Sequence, residues 1–278
     1  MKTFLHNITY APLKFLKEIG AALGILLGSY QGITIFFPNL LKDLVDWKVF
    51  LSIIFISIIY GLSRIWKPSK ISFNIPHTNT TIEIFFGNLF KQDGWKVVPV
   101  NDFFDSKIGK PVSNKTLHGI LIEEHLKGNS FDNIVDNQLT NIPSEIITKK
   151  NDERQRRYPI GTTVTMETDG KYLLFALSKT DPETYKAHCD VAIMWLALEG
   201  LLKLAKIESN GDPINFPLIG NGQSSVGLSE NDLLNLLILS IITETKKQQR
   251  IADKIRIVLK KDLFEKLDLR DVKQRWEK

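Results

Sequence analysis

Residues 216–228 read FPLIGNGQSSVGL. An apolar run, Ile214 to Ile219, gives way to a turn that holds Gly220, Gly222 and Gly227 with Ser224 and Ser225 between them. Helical periodicity begins at Ser229, a good N-cap with Asp232 three residues on, so the turn ends at the partly positive start of a helix. Backbone N–H groups in such a turn can come close to a phosphate, because glycine puts no side chain in the way. Two common phosphate fingerprints fail here. A Walker loop needs Lys directly after its last glycine, and Ser225 stands at the third glycine position of G-x-G-x-x-G. By composition alone the segment reads equally as a phosphate loop and as an ordinary flexible turn.

Working outward, short β-rich runs alternate with longer helical patterns. The strands are predicted at Thr81–Phe86, Trp95–Val100, Thr162–Glu167, Tyr172–Leu177, Ile214–Ile219 and Lys254–Leu259. The helices are predicted at Phe131–Leu139, Glu183–Lys206, Ser229–Gln248 and Asp262–Trp276. This order predicts an α/β domain over residues 71–278, a mixed sheet flanked by helices. The charged stretch KKNDERQRR at 149–157 reads as a solvated helix end or exposed loop.

Residues 1–70 obey a different pattern. Ile19 to Phe37 is a run of 19 uncharged residues, about 28 Å as a helix, which matches the hydrocarbon thickness of a bilayer. A second run, Val49–Ser63, is bracketed by Trp47 and Trp66 as interfacial anchors. Together they predict a two-helix transmembrane hairpin with spans at 19–37 and 47–66. Lys2, Lys14 and Lys17 precede it and Arg64, Lys67 and Lys70 follow it, against Lys42 and Lys48 in the loop, so both termini are expected in the cytoplasm, at the inner membrane. The loop 39–48 has the amphipathic pattern of a segment lying along the interface. In the first span Gly20, Gly24, Gly28 and Gly32 recur every fourth residue, a groove that predicts close packing on another helix, of the same or a neighbouring subunit.

Charge and cysteine content narrow the function classes. Of the formal net charge of +5, all lies in the first 70 residues, and the rest of the chain holds 28 basic and 28 acidic side chains. A neutral body lacks the cation excess that a phosphate backbone requires, so no nucleic-acid partner is expected. One cysteine, Cys189, excludes an intrachain disulfide framework and a zinc site built on several thiolates. His118, Glu123, Glu124 and His125 lack H-E-x-x-H spacing and read as a surface cluster, so no metal is expected. His188-Cys189-Asp190, read as part of the predicted 183–206 helix, would point about 100° apart and could not act as a triad.

The hairpin, then IEIFFGNLF (82–90), VVPVNDFFD (97–105) and FPLIGNGQSSVG before a helix, resembles the transmembrane–macro effectors of Thoeris antiphage defence systems. The similarity in architecture covers nearly the whole chain and is most specific in residues 81–105 and 214–232. Macro domains are ADP-ribose-binding α/β folds, and the resemblance implies a ligand site. Asn101 would sit near the distal ribose. Gly220, Asn221, Gly222, Gln223, Ser224, Ser225, Val226 and Gly227 would wrap the pyrophosphate. Asn88 stands where many macro domains have an aspartate that contacts the adenine amino group; an amide oxygen there accepts a hydrogen bond but supplies no charge. From the residues alone, Asn88 and Asn101 read as turn caps at strand ends.

The resemblance further implies a separate TIR-domain protein that consumes NAD to make an ADP-ribose-derived signal, here histidine–ADP-ribose. It implies that the macro domain receives this ligand without a resident cofactor, and that homo-oligomers then disrupt the bilayer. Two other classes compete. A membrane-tethered ADP-ribosyl hydrolase would use Asp102 or Asp105 to activate water, with no catalytic residue expected under the receiver reading. A ligand-independent membrane scaffold would need neither the glycine turn nor Asn101.

Overall fold

The two apolar runs form long helices, α1 (Pro12–Phe36, 25 residues) and α2 (Trp47–Ile65, 19 residues). The computed structural model describes residues 12–37, 47–126, 130–148, 154–222, 226–247 and 250–277; the predicted interfacial segment falls almost wholly outside these. Both helices are long and apolar enough to cross a bilayer. They pack on each other within a unit formed by residues 1–68. The close approach is at Gly61, where a Cβ would come 2.6 Å from Ile19 Cγ1 and 3.2 Å from the Phe15 ring. An ion pair, Arg64 Nε to Glu18 Oε2 at 3.7 Å, adds a polar contact near one end. The glycine groove is not what holds the hairpin together. A Cβ at Gly20, Gly24, Gly28 or Gly32 would meet nothing within 4 Å, so among the described residues this chain does not supply the groove with a partner helix.

Residues 69–278 form the second unit. Its elements run β1 (Lys70–Asn74), β2 (Thr81–Phe86), β3 (Trp95–Asn101), α3 (Leu117–Ile120) with a π-helical turn at Leu121–His125, α4 (Phe131–Leu139), β4 (Glu145–Ile146), β5 (Arg156–Arg157), β6 (Thr163–Glu167), β7 (Lys171–Thr180), β8 (Ala187–His188), α5 (Val191–Glu208), β9 (Ile214–Pro217), α6 (Glu230–Lys247), β10 (Lys254–Leu259) and α7 (Leu269–Trp276). The main sheet has the order β1-β2-β10-β9-β3-β7-β6, and β4 pairs with β5 apart from it. The five inner strands are parallel, with β1 and β6 antiparallel at the edges. This is the mixed sheet flanked by helices that the alternation predicts.

Parallel strands covered on both faces need apolar side chains pointing both ways, and the sequence provides them. In β7, Leu173, Phe175 and Leu177 enter the core that also holds Leu198, Leu201 and Leu202 of α5 and Leu233, Leu237 and Ile241 of α6. Tyr172, Leu174 and Ala176 point the other way, to the core that holds Leu121, Phe131, Val135 and Leu139. Val97 and Val98 of β3 divide likewise.

Two helix boundaries differ from expectation. α5 starts at Val191 because the Asp190 side chain accepts the Ile193 N–H at 2.8 Å, a side-chain cap that ends the preceding turn. His188 and Cys189 therefore lie in the strand and linker before the helix, not on it, and Cys189 is buried with its thiol pushed up to about 12 by that burial. The 262–276 stretch splits into a 3-10 turn at Lys261–Phe264 and α7, which Asp268 caps.

Candidate functional site

Since β2, β10, β9, β3 and β7 are parallel, their C-terminal ends share one edge, where open α/β sheets bind ligands. Gly87-Asn88 follows β2, Asn101 closes β3, and the glycine turn follows β9. The topology thus gathers the candidate ligand residues on one edge, although they are spread over some 140 positions in sequence.

The turn after β9 is shaped by its glycines. Gly220 has φ +91° and is buried, with an added Cβ 2.9 Å from both Leu233 Cδ2 and Val226 Cγ2. Gly227 also lies at positive φ, +78°. The Val226 N–H donates to Gly220 O at 3.1 Å and closes the loop. Asn221 and Gly222 are exposed at its crest, and a Cβ at Gly222 would meet nothing within 4 Å. Gln223, Ser224 and Ser225 lie outside the described residues. The loop delivers the chain to α6, where Ser229 Oγ accepts the Asp232 N–H at 3.2 Å, the predicted cap.

Asn101 and Asn88 both act as turn caps. Asn101 Nδ2 donates to Asp105 Oδ2 at 2.8 Å, and Asn101 Oδ1 accepts the Asp105 N–H at 3.1 Å. Asn88 Oδ1 accepts the Phe90 N–H at 2.9 Å. A β-bulge between Val100 and Asn101, and a positive φ of 52° at buried Phe104, turn the chain sharply here. Such local strain is held in place by its surroundings and is common beside binding sites.

The two aspartates of this turn are already engaged. Asp102 is buried; its Oδ1 accepts the Thr180 N–H at 2.9 Å and its Oδ2 lies 3.0 Å from Arg157 Nε. Asp105 is buried against Asn101. Neither is an open carboxylate beside solvent. His118 lies in α3 against Phe131, its ring centroid 5.2 Å away, and burial pushes its pKa down to about 3. His125 is elsewhere, stacked on Phe90 at 4.4 Å and paired with Asp169 at 3.0 Å, while Glu123 and Glu124 are exposed. The four do not converge on one point.

Sequence reasoning missed the strap that covers this turn. Arg154 Nε donates to Phe103 O at 3.0 Å, and its other nitrogens reach Asp132 Oδ1 at 2.9 Å and Asp136 Oδ1. Arg157 donates to Thr180 O at 2.8 Å and lies 5.0 Å over the Phe103 ring. The described end of KKNDERQRR is therefore not a solvated charge run: two of its arginines are structural clamps. A cavity of about 640 Å³ opens beside the strap, lined by Asp105, Lys107, Asp132, Asp136, Arg154 and Arg156 among others. A second, of about 890 Å³, lies by Asp102, Arg157, Leu196 and Lys203. Among the described residues, neither lining includes Asn88, Asn101, Gly220, Asn221, Gly222, Val226 or Gly227.

The model of the family described as Thoeris protein ThsA, Macro domain, matches residues 82–260. The chain belongs to this family. Its second unit has the macrodomain fold: a glycine-to-valine mutant of the Oceanobacillus iheyensis macrodomain with ADPR matches with TM-score 0.52 and 16% identity, over 75% of this chain and 100% of the other. An aspartate-to-alanine mutant of the same macrodomain gives TM-score 0.50 and 13% identity, over 75% and 98% of the two chains. No curated protein matches in sequence. Within the ThsA macro family, the match spans Asn88, Asn101 and the entire Gly220–Gly227 turn, and the hairpin lies before it.

Proposed function

We propose that this protein is a membrane-anchored antiphage effector whose macro domain receives an ADP-ribose-derived signal, histidine–ADP-ribose, made by a TIR-domain protein. The observation that carries the reading is the glycine turn at the C-terminal edge of the parallel sheet, running into the capped start of α6 beside Asn101, within a ThsA macro match. Such a turn would bring backbone N–H groups and a partly positive helix end to a bound diphosphate. The Oceanobacillus iheyensis macrodomain mutant that matches this fold holds ADPR, which fits a ligand of this chemistry. Asn101 would serve the distal ribose through its second N–H or second oxygen lone pair, and Asn88 the adenine amino group through the second lone pair of its oxygen, each keeping its cap.

The two apolar helices would insert in the inner membrane with both termini in the cytoplasm, and the glycine groove of α1, uncovered by α2, would pack against neighbouring copies. Ligand binding would favour the assembled state and so disrupt the bilayer. A ligand can drive assembly only as far as it binds the assembled form better. The hydrolase alternative needs a carboxylate able to accept a proton, and Asp102 and Asp105 are each committed to other groups. A ligand-independent scaffold has no use for a turn that only glycine fits at position 220.

Full-length protein in dye-loaded vesicles tests this reading. Histidine–ADP-ribose should release dye, unaltered ligand should be recovered afterwards, and Gly222→Trp should block release without changing membrane insertion. Release without ligand, or multiple turnovers of ligand, contradicts it.

A further inference from the structure

The main sheet ends in β1 on one side and β6 on the other, and the two outer strands are finished differently. On β6 the outward main chain at Thr165 is taken up by Gln138 of α4. The Thr165 N–H donates to Gln138 Oε1 at 2.9 Å, and Gln138 Nε2 donates to Thr165 O at 2.5 Å. One side-chain amide thus stands in for a neighbouring strand at the middle of this edge and obstructs pairing by another chain.

β1 has no such plug. It forms a regular antiparallel ladder with β2, from Lys70↔Phe85 to Asn74↔Thr81, without a bulge. The Phe86 N–H donates to Ser69 O at 3.3 Å and the Ile75 N–H to Thr80 O at 2.9 Å, which fixes the alternation. Main-chain groups of Ile71 and Phe73 face β2, and those of Lys70, Ser72 and Asn74 face away from it. Among the described residues no main-chain hydrogen bond meets that outer row, and Lys70, Ser72 and Asn74 are all exposed. α7 packs on one face of the strand, where Ile71 and Phe73 share a core with Leu269 and Val272. The usual guards of an open edge are missing as well. No proline interrupts β1, and its one charged residue is drawn back over its own sheet, with Lys70 Nζ 3.2 Å from Glu83 Oε1 and 5.7 Å from the Phe85 ring centroid.

We infer that β1 is a contact between two copies of this chain, each pairing its β1 antiparallel with that of the other about a two-fold axis through Ser72. The strand is self-complementary in that register. Ser72 meets Ser72 of the second copy and Lys70 meets Asn74 of the second copy, so about six main-chain hydrogen bonds form and no like charges face each other. The plug at Thr165 opposes the other course, in which β1 of one copy adds to β6 of the next and the sheet runs on as an open filament. Two β1 strands close on themselves instead. Only residues 66–69 separate the end of α2 from β1, so copies joined here carry their hairpins into one assembly. The inference goes beyond the proposed function, in which the groove of α1 joins copies, and it needs no ligand.

Cross-linking of the full chain in detergent micelles with a short bismaleimide tests it, using Ser72→Cys in a Cys189→Ser background and Glu167→Cys, exposed on β6, as the control. Ser72→Cys should link into a dimer without ligand, and Glu167→Cys should link several-fold less. Asn74→Pro, added to Ser72→Cys, removes an N–H that faces away from β2, so it should abolish the link with thermal melting unchanged. Asn74→Asp and Asn74→Lys give a second measure that holds even where the proline lowers the melting temperature. Opposite Lys70 of the second copy, the carboxylate should raise the yield and the ammonium lower it, each by roughly two- to fivefold. A yield at Ser72→Cys no higher than at Glu167→Cys, a link that survives Asn74→Pro, or charge variants that do not move the yield in opposite directions overturns the β1 contact. A dimer in the micelle that fails to link at position 72 assigns assembly to the hairpins, which overturns this inference and leaves the proposed function standing.

Discussion

Gly220→Ala is the sharpest structural test of the glycine turn. The substitution forces an L side chain into φ +91° and places a methyl 2.9 Å from Leu233 Cδ2 and Val226 Cγ2. Backbone strain of that kind costs of order 1–3 kcal/mol. Overpacking adds roughly 1–3 kcal/mol, nearer the lower bound here because the nearest atoms are side-chain ends that can shift. The total is about 2–4 kcal/mol, and at roughly 2–4 °C per kcal/mol for a unit of this size the melting temperature should fall by about 4–16 °C. Gly222→Ala is the control, since its Cβ enters open space and its stability should stay within about 0.5 kcal/mol of wild type. Differential scanning fluorimetry in detergent measures both. A neutral Gly220→Ala, or a Gly222→Ala equally destabilised, would refute the geometry on which the loop argument depends.

Two other outcomes follow from buried groups and close contacts. His118, pushed down to about 3 by burial from an ordinary value near 6.5, stays neutral in the native chain while the unfolded chain takes up a proton as pH falls below 6.5. Stability should therefore drop with falling pH, by about 1.4 kcal/mol at pH 5.5, and His118→Leu should remove that increment, making the fall in melting temperature between pH 7 and 5.5 smaller by about 3–6 °C; an unchanged difference argues against a neutral buried imidazole. In the hairpin, Gly61→Leu should separate α1 from α2, because even a Cβ would lie 2.6 Å from Ile19 Cγ1, and disulfide trapping between cysteines placed at the buried positions 22 and 57 of a Cys189→Ser background should fall when Gly61→Leu is added; unchanged trapping would mean the helices do not meet at Gly61.

Much of the sheet was legible because its inner strands are buried on both faces. Thr81–Phe86 and Lys254–Leu259 are runs of β-branched and aromatic residues bounded by polar ones, and their ends fall where the sequence puts them. β1, five residues with polar positions at both ends and in the middle, is an edge strand whose pattern is too short to stand out. The Asn101 turn and the glycine turn were recognisable by residue type, yet their being neighbours comes only from the strand order. The strap was misread for a different reason. Arginines 154 and 157 look like surface charge in sequence, and the groups that draw them inward, Phe103 O, Asp132, Asp136 and Asp102, are 18 to 55 positions away with no local signature. In α1 the glycine period was plain, but periodicity identifies a face and not its partner, and the α2 contact fell to Gly61 instead.

Hydrogen–deuterium exchange on the full chain in detergent, with and without ADP-ribose, addresses the ligand site most directly. Peptides covering 217–232 and 99–107 should gain protection on binding, at concentrations where the peptides of α7 are unchanged. Protection confined to other segments, with the glycine turn and the Asn101 turn exchanging as in the free protein, would contradict the claim that this edge of the sheet grips a diphosphate.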